Sequence, residues 1–266
     1  MSNATSSTGS AGSQTLLEQA VAWARSAGEL TLEWFNNPTL EIDSKSDGSP
    51  VTQADRAAER HLRELISAAY PDDTIEGEEE ATHEGTSGRR WLIDPIDGTK
   101  AFSHGVSTYS NLLYAEDEDG PLLGVINLPA LGETIYAQRG LGCFFNGRRC
   151  SVSDVDDTRV AYLSCTGFHR WNPDMFTRVT DAGLRLRTWG DAYGYALVAT
   201  GRIEAMFDPV LAKWDIMAPA LIVTEAGGRI SSRSGGDALS ADVQGDFSAI
   251  ASNGAFHDDL VTMLAP

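Results

Sequence analysis

The chain has 266 residues, enough for one large domain or two small ones, and with 42% hydrophobic and 22% charged residues it can bury a full core without disulfides. Lys and Arg total 20 against 38 Asp and Glu, a formal net charge of -18. That balance excludes nucleic-acid binding as a main role and disfavours an anionic membrane surface, because no basic footprint is present to neutralise phosphates. Lys45, Lys100 and Lys213 are the only lysines, so the acidic surface fits either a saline cytoplasm or a soluble acidic enzyme from a GC-rich genome.

Residues 1–14 are small and polar and lack the basic and apolar regions of a signal peptide; they are expected to form a disordered tail. No uninterrupted apolar run reaches the roughly 18 residues of a membrane span, so the expected location is the cytoplasm. The spacing then predicts a helix over 15–36, with Leu17, Ala20, Val21, Ala24, Ala27 and Trp34 near one face. Residues 41–50 read as a polar loop. A second helix follows Thr52, its apolar face made of Ala58, Leu62, Leu65, Ile66 and Ala69, and Thr52-x-x-Asp55 resembles a capping box.

From Trp91 the pattern changes to strands, expected at 91–93, 112–115, 122–127, 134–137 and 160–164. Helices are expected at 191–200 and 214–226 with a strand at 203–207 between them, then a strand at 249–251 and a last helix at 257–264. This order implies a layered α/β or α+β body. Cys143, Cys150 and Cys165 form no C-x-x-C pair and read as reduced thiols, and the five histidines form no zinc pair.

The densest chemistry lies in Trp91-Leu92-Ile93-Asp94-Pro95-Ile96-Asp97-Gly98-Thr99. In a regular strand Asp94 and Asp97 would point to opposite faces. A bend at Pro95 can bring the carboxylates together, which repels unless cations lie between them; hard oxygen ligands of this kind suit Mg²⁺ or Mn²⁺. Gly98-Thr99 opens a helical turn whose backbone N–H groups suit phosphate. Further acids stand in Gly77-Glu78-Glu79-Glu80 and in Trp214-Asp215, which opens the apolar helix ending at Glu225-Ala226-Gly227-Gly228. Taken alone, Glu78 reads as a solvated acidic loop and Asp55 and Asp215 as helix N-terminal charges; the signal lies in their combination.

Together, Val51-Thr52-x-x-Asp55, Gly77-Glu78-Glu79, Asp94-Pro95-Ile96-Asp97-Gly98-Thr99 and Trp214-Asp215 with Glu225-Ala226-Gly227-Gly228 resemble the signature motifs of the inositol monophosphatase-like phosphatases, in the right order from residue 15 to the end. The resemblance implies an αβαβα sandwich of the inositol monophosphatase/fructose bisphosphatase type, with a metal-bearing half over about 15–150 and a substrate-rim half over about 151–266. It implies two or three Mg²⁺ per subunit, with Mn²⁺ as a substitute. Glu78, Asp94 and the Ile96 carbonyl would hold the first ion, Asp94, Asp97 and Asp215 the second, and a third would lie near Glu78 among waters. Thr99, its hydroxyl bonded to Asp55, would hold the attacking water. Gly98 and Thr99 N–H groups would take the phosphate, Lys45 would lie on a loop over the site, and the subunits would pair as a homodimer.

The alcohol is read from the rim. Gly190-Asp191-x-Tyr193-x-Tyr195 and the segments Asp97 to Phe102 and Leu128 to Glu133 are similar to the histidinol-phosphate phosphatase branch, although Ser107 to Ser110 lacks a tryptophan that many such members carry. Asp97 is expected at the substrate as well as the metal. Asp191 would pair with the ammonium of histidinol and Asp208 with its imidazole; Asp191 also suits a helix N-cap. Tyr193 and Tyr195 cannot share a helix face, so at least one belongs to the core. The expected function is hydrolysis of L-histidinol phosphate in histidine biosynthesis. The alternatives are an inositol or broad sugar-phosphate phosphatase and, from a different class, a non-catalytic metal- or phosphate-binding module.

Overall fold

The computed structural model describes residues 15–44, 50–242 and 245–265; the expected tail and the loop residue Lys45 lie outside the described residues. The first half runs α1 (Leu16–Leu32), β1 (Ile42–Ser44), β2 (Pro50–Thr52), α2 (Gln53–Ala69), β3 (Thr74–Gly77), β4 (Arg90–Asp97), α3 (Thr99–Ser103), β5 (Ser110–Asp117), β6 (Gly120–Leu128), β7 (Glu133–Gln138), β8 (Gly142–Phe145) and β9 (Arg148–Cys150). The second half runs β10 (Tyr162–Ser164), α4 (Pro173–Asp181), β11 (Arg185–Arg187), α5 (Asp191–Ala199), β12 (Ala205–Leu211), α6 (Lys213–Glu225), β13 (Arg229–Ser231), β14 (Phe247–Ser252) and α7 (His257–Met263).

Strands β3 to β9 pair in chain order as a seven-stranded sheet, parallel only at β3–β4. A five-stranded mixed sheet has the order β11-β10-β12-β14-β13. Side-chain alternation along each strand feeds two faces. On the large sheet, Trp91, Ile93, Leu113, Ala115, Leu123 and Val125 pack on Ala20, Val21, Ala24, Ala58, Leu62 and Ile66 of α1 and α2. Leu112, Ile126 and Ile135 face the other way, onto Tyr195, Ala196, Ile216 and Ala220 of α5 and α6. Met206 and Ala251 close that same core from the small sheet. The small sheet's far face, with Leu163, Phe207 and Ile250, packs on Val179 of α4 and Leu260 of α7. The layers are therefore α1α2, large sheet, α5α6, small sheet, α4α7: the expected αβαβα sandwich. Gly124 lets α6 lie close on the large sheet, since a Cβ there would be 2.9 Å from the Ala218 carbonyl oxygen.

The differences from the sequence reading have local causes. The first helix stops at Leu32, four residues early, where Asn36 takes φ 60° and Pro38 follows. Trp34 then packs with Phe35 in a small core around Phe102 and Tyr109. In α2, Ala58, Leu62 and Ile66 are buried, but Ala69 at the helix end is exposed. The short strand expected at 91–93 is eight residues long and runs through Asp94 to Asp97. The unforeseen β8–β9 hairpin turns at Asn146-Gly147, a dipeptide that signals such turns, with φ 46° and 82°. The unforeseen α4 starts at Pro173 behind Asn172, which caps it. Among the described residues, no helix is long and apolar enough to cross a membrane.

Candidate active site

Strand β4 carries the site because its pairing with β5 slips. Asp94 pairs with Leu112 and Asp97 with Ser110, so three steps on β4 match two on β5. This bulge undoes the alternation that would separate the two carboxylates. Asn111 holds it: its side-chain amide donates to the Pro95 carbonyl at 2.6 Å, and its Oδ1 accepts from Asn127, which also donates to the Ala24 carbonyl. Asp215 arrives from the first turn of α6, its Oδ2 accepting the Ala212 N–H at 2.8 Å. One carboxylate oxygen from each of Asp94, Asp97 and Asp215 lies within 4.8 Å of the others. Glu78 lines the same cavity of about 290 Å³, placed there by its N–H donating to the Ile93 carbonyl.

These acids are held in a costly state. Burial, then the charges of Glu78, Asp97 and Asp215, push Asp94 well above the usual carboxylate range. Burial, then Asp191 and Asp215, do the same to Asp97. Burial and the neighbouring Glu78, Asp208 and Asp191 push Asp215 up to about 7. Asp94 is 2% exposed and its Oδ1 has no hydrogen-bond partner. A buried carboxylate oxygen without a donor, inside a nest of like charges, fits a divalent cation with hard oxygen ligands.

Gly98 follows Asp97 with φ 76°, a conformation that favours glycine, and a Cβ there would be 2.9 Å from Asp191 Oδ2. It swings Thr99 back, so the Thr99 hydroxyl donates to the Ile96 carbonyl at 3.1 Å. The expected bond from Thr99 to Asp55 is therefore replaced. Asp55 Oδ2 instead accepts from the Thr52 N–H at 2.8 Å and the Thr52 hydroxyl at 2.6 Å, closing the capping box of α2. Burial pushes Asp55 up to about 6. The Ile96 carbonyl keeps a second lone pair for a cation.

The rim also departs from expectation in two places. Asp191 does not cap α5. It takes φ 39°, its N–H donates to the Thr166 hydroxyl at 3.1 Å, and burial pushes its carboxyl up to about 6. The cap is supplied from the other half of the chain: Asp97 Oδ2 accepts the Ala192 N–H of α5 and the Ser110 hydroxyl, each at 2.9 Å. Asp208 lines the cavity but is 2% exposed, and its two oxygens accept from the Thr166 N–H and the Tyr195 hydroxyl. An imidazole contact would have to compete with both bonds. Tyr195 is core, and Tyr193 is half-buried at the edge of the same cluster. Lys100 and Arg170 add positive charge to the mouth, and His169 lines it beside them.

One further residue escaped the sequence reading. Glu59 on α2 is fully buried, and its carboxylate accepts the Glu79 N–H at 2.7 Å, the Glu80 N–H at 3.0 Å and the Arg63 Nε–H at 2.8 Å. A Cβ on Gly77 would collide with it. Glu59 thus shapes the turn that carries Glu78. A charged residue on the inner stripe of an amphipathic helix, four residues after Asp55, was the available signal.

The sequence pattern of the inositol monophosphatase family matches residues 13–265. The histidinol-phosphatase of Chlorobaculum parvum is 45% identical over 217 residues, covering 80% of this chain and 83% of that protein. The histidinol-phosphatase of Mycobacterium tuberculosis is 38% identical over 256 residues, covering 92% and 96%. The crystal structure of the extragenic suppressor protein suhB from Bartonella henselae superposes with a TM-score of 0.85 at 30% identity, covering 92% of this chain and 96% of that one. With the family pattern spanning its whole folded body, and with the acidic motifs converging between two sheets, the chain belongs to the inositol monophosphatase family.

Proposed function

We propose that this protein is a Mg²⁺-dependent phosphomonoesterase that hydrolyses L-histidinol phosphate to L-histidinol and phosphate, in the cytoplasm and as a homodimer. The observation that carries the choice of alcohol is Asp191, a carboxylate beside Gly98 at the mouth of the acidic cavity, where a cationic alcohol gains an ion pair and a neutral polyol does not. The histidinol-phosphatase relatives, at 45% and 38% identity, support the same reading.

Asp94, Asp97, Asp215, Glu78 and the Ile96 carbonyl would hold Mg²⁺, two or three ions per subunit, with Mn²⁺ as a substitute. When bound, the ions supply Lewis acidity that lowers the pKa of water and steadies the departing alkoxide. The chain's own groups do the positioning. The Gly98 and Thr99 N–H groups receive the phosphate, and Lys100 at the mouth offsets its charge. The Thr99 hydroxyl, aimed by its bond to Ile96, would orient the attacking water, and Asp55 would accept its proton once Thr99 turns from Ile96 toward it. Asp97 joins the two halves by ligating at one end and capping the helix that carries Asp191. Asp208, braced by Thr166 and Tyr195, sets the rim from below rather than meeting the substrate. Glu59 holds the Glu78 turn.

Phosphate release from L-histidinol phosphate and from inositol 1-phosphate, each with saturating Mg²⁺, tests this reading. We expect kcat/KM at least about tenfold higher for histidinol phosphate. A preference for inositol phosphate would overturn the choice of alcohol, and release from neither ester nor from a panel of sugar phosphates would leave a metal- or phosphate-binding module.

A further inference from the structure

Two of the three cysteines face one another far along the chain from the acidic motifs. Cys143 on β8 and Cys150 on β9 are direct partners across the antiparallel hairpin that ends the large sheet. Their sulfur atoms are 3.4 Å apart, in contact. Directly opposed residues in such a ladder have Cβ atoms about 4.5–5.5 Å apart. A disulfide needs about 3.5–4.5 Å, so closure asks for a small adjustment of a hairpin at a sheet edge. Cys143 is fully buried, whereas Cys150 is half-buried and open to a small reagent.

The surroundings distinguish the two sulfurs. Arg202 stacks over the rings of Phe145 and Tyr193 and pairs with Glu133 at 2.8 Å, which holds its guanidinium over this corner. The sulfur contact with Cys143, and then the Arg202 charge, hold the Cys150 thiol below the ordinary cysteine value against its burial. The same contact, with burial, pushes Cys143 up. Cys165 has no such setting: burial, and then the charge of Asp208, push it up to about 12. A partly exposed, thiolate-prone sulfur in contact with a second, buried one is the arrangement of an attacking and a resolving thiol.

We propose that Cys143 and Cys150 are an oxidisable dithiol, closed by a hydroperoxide to an intramolecular disulfide. The Cys150 thiolate attacks the distal peroxide oxygen; an S–O bond forms, the O–O bond breaks, and the departing oxygen takes a proton to leave as water or alcohol. The Cys143 sulfur then attacks the sulfenic sulfur of Cys150. The S–S bond forms, the S–O bond breaks, and hydroxide leaves with the Cys143 proton as a second water. Two thiols lose two electrons in total, and the peroxide gains them. Neither sulfur lines the acidic cavity, so the site is separate from the phosphatase reading.

The test treats the reduced full-length protein with graded hydrogen peroxide, then reads intact mass, peptide maps without reduction, and maleimide labelling after unfolding. We expect a loss of about 2 Da, a Cys143–Cys150 linked peptide, labelling confined to Cys165, and full reversal by dithiothreitol. Cys165→Ser should behave like the parent. Cys150→Ser should slow thiol loss at least about tenfold, and Cys143→Ser should stop at oxidised single thiols without the linked peptide. Cys143→Ala replaces Cys143→Ser if the buried hydroxyl prevents folding. Sulfinic acid at Cys150 with no linked peptide, first oxidation at Cys165, or a disulfide between two molecules would each overturn the proposal.

Discussion

Asp97 is the residue at which structure and chemistry can be separated most cleanly. Its Oδ2 accepts two buried hydrogen bonds, from the Ser110 hydroxyl and the Ala192 N–H. Asp97→Ala orphans both donors, and at about 1–3 kcal/mol each the variant should lose roughly 2–6 kcal/mol. Asp97→Asn keeps an acceptor oxygen in the same place. It also removes a carboxylate whose charged form burial, Asp191 and Asp215 disfavour. A carboxyl raised in the folded state above its unfolded value contributes stability that is full below the unfolded value and lost as pH rises through the folded one. Without metal at neutral pH the parent therefore carries a penalty that Asp97→Asn does not, and near pH 4 the two should converge. The variant should be at least as stable as the parent in EDTA at pH 7.5, while kcat/KM falls by about three orders of magnitude or more through loss of an anionic ligand. Urea unfolding in EDTA at pH 7.5 and 4.5, with phosphate release at saturating Mg²⁺, measures both. An Asn variant destabilised by about 2 kcal/mol or more in EDTA would refute the helix-capping role. Activity within about threefold of the parent would refute the ligand role.

Asp191→Asn keeps a residue type that tolerates the positive φ at this position, so it should fold normally and lose on the order of a hundredfold in kcat/KM for histidinol phosphate, about 2–4 kcal/mol, with little change for inositol phosphate. Equal losses for both esters would make it a scaffold residue. Glu59→Gln places an amide against the Glu79 or Glu80 N–H; the Mg²⁺ concentration for half activity should rise about tenfold while kcat at saturating Mg²⁺ stays within about twofold. A fallen kcat with unchanged Mg²⁺ dependence would contradict its place behind Glu78. His257 is 1% exposed between the Ser231 and Ser252 hydroxyls, and burial, then Arg229, lower it to about 4. Its contribution is full above its unfolded value near 6.5 and is lost as pH falls from there to about 4, up to about 3 kcal/mol. Unfolding free energies of parent and His257→Gln, taken at pH 7.5 and 4.5, should differ in their pH dependence by that amount; parallel curves would show that the imidazole is not held neutral.

What the sequence by itself determined is what residue type and short-range spacing can carry. The 3.6-residue stripe of Leu17, Ala20, Val21 and Ala24 specifies a helix with one buried face, and the Thr52–Asp55 spacing specifies where the next one starts. The paired carboxylates of Asp94-x-x-Asp97, followed by Gly98, are legible as candidate hard oxygen ligands because such chemistry needs those atoms in any fold. Short strands such as β3, and helix α4, carry too few residues for a period to show. The tertiary structure alone decided how the acids meet. The bulge that puts Asp94 and Asp97 together depends on Asn111 in the next strand. The N–H of α5 finds its acceptor in Asp97, 95 residues away. Glu59 reaches the backbone of Glu79 and Glu80 from a neighbouring helix, and Asp208 is taken up by Tyr195 and Thr166 before any substrate arrives. Each is a long-range hydrogen bond in a buried place, where a polar group must find a partner and only the packed chain determines which one is within reach.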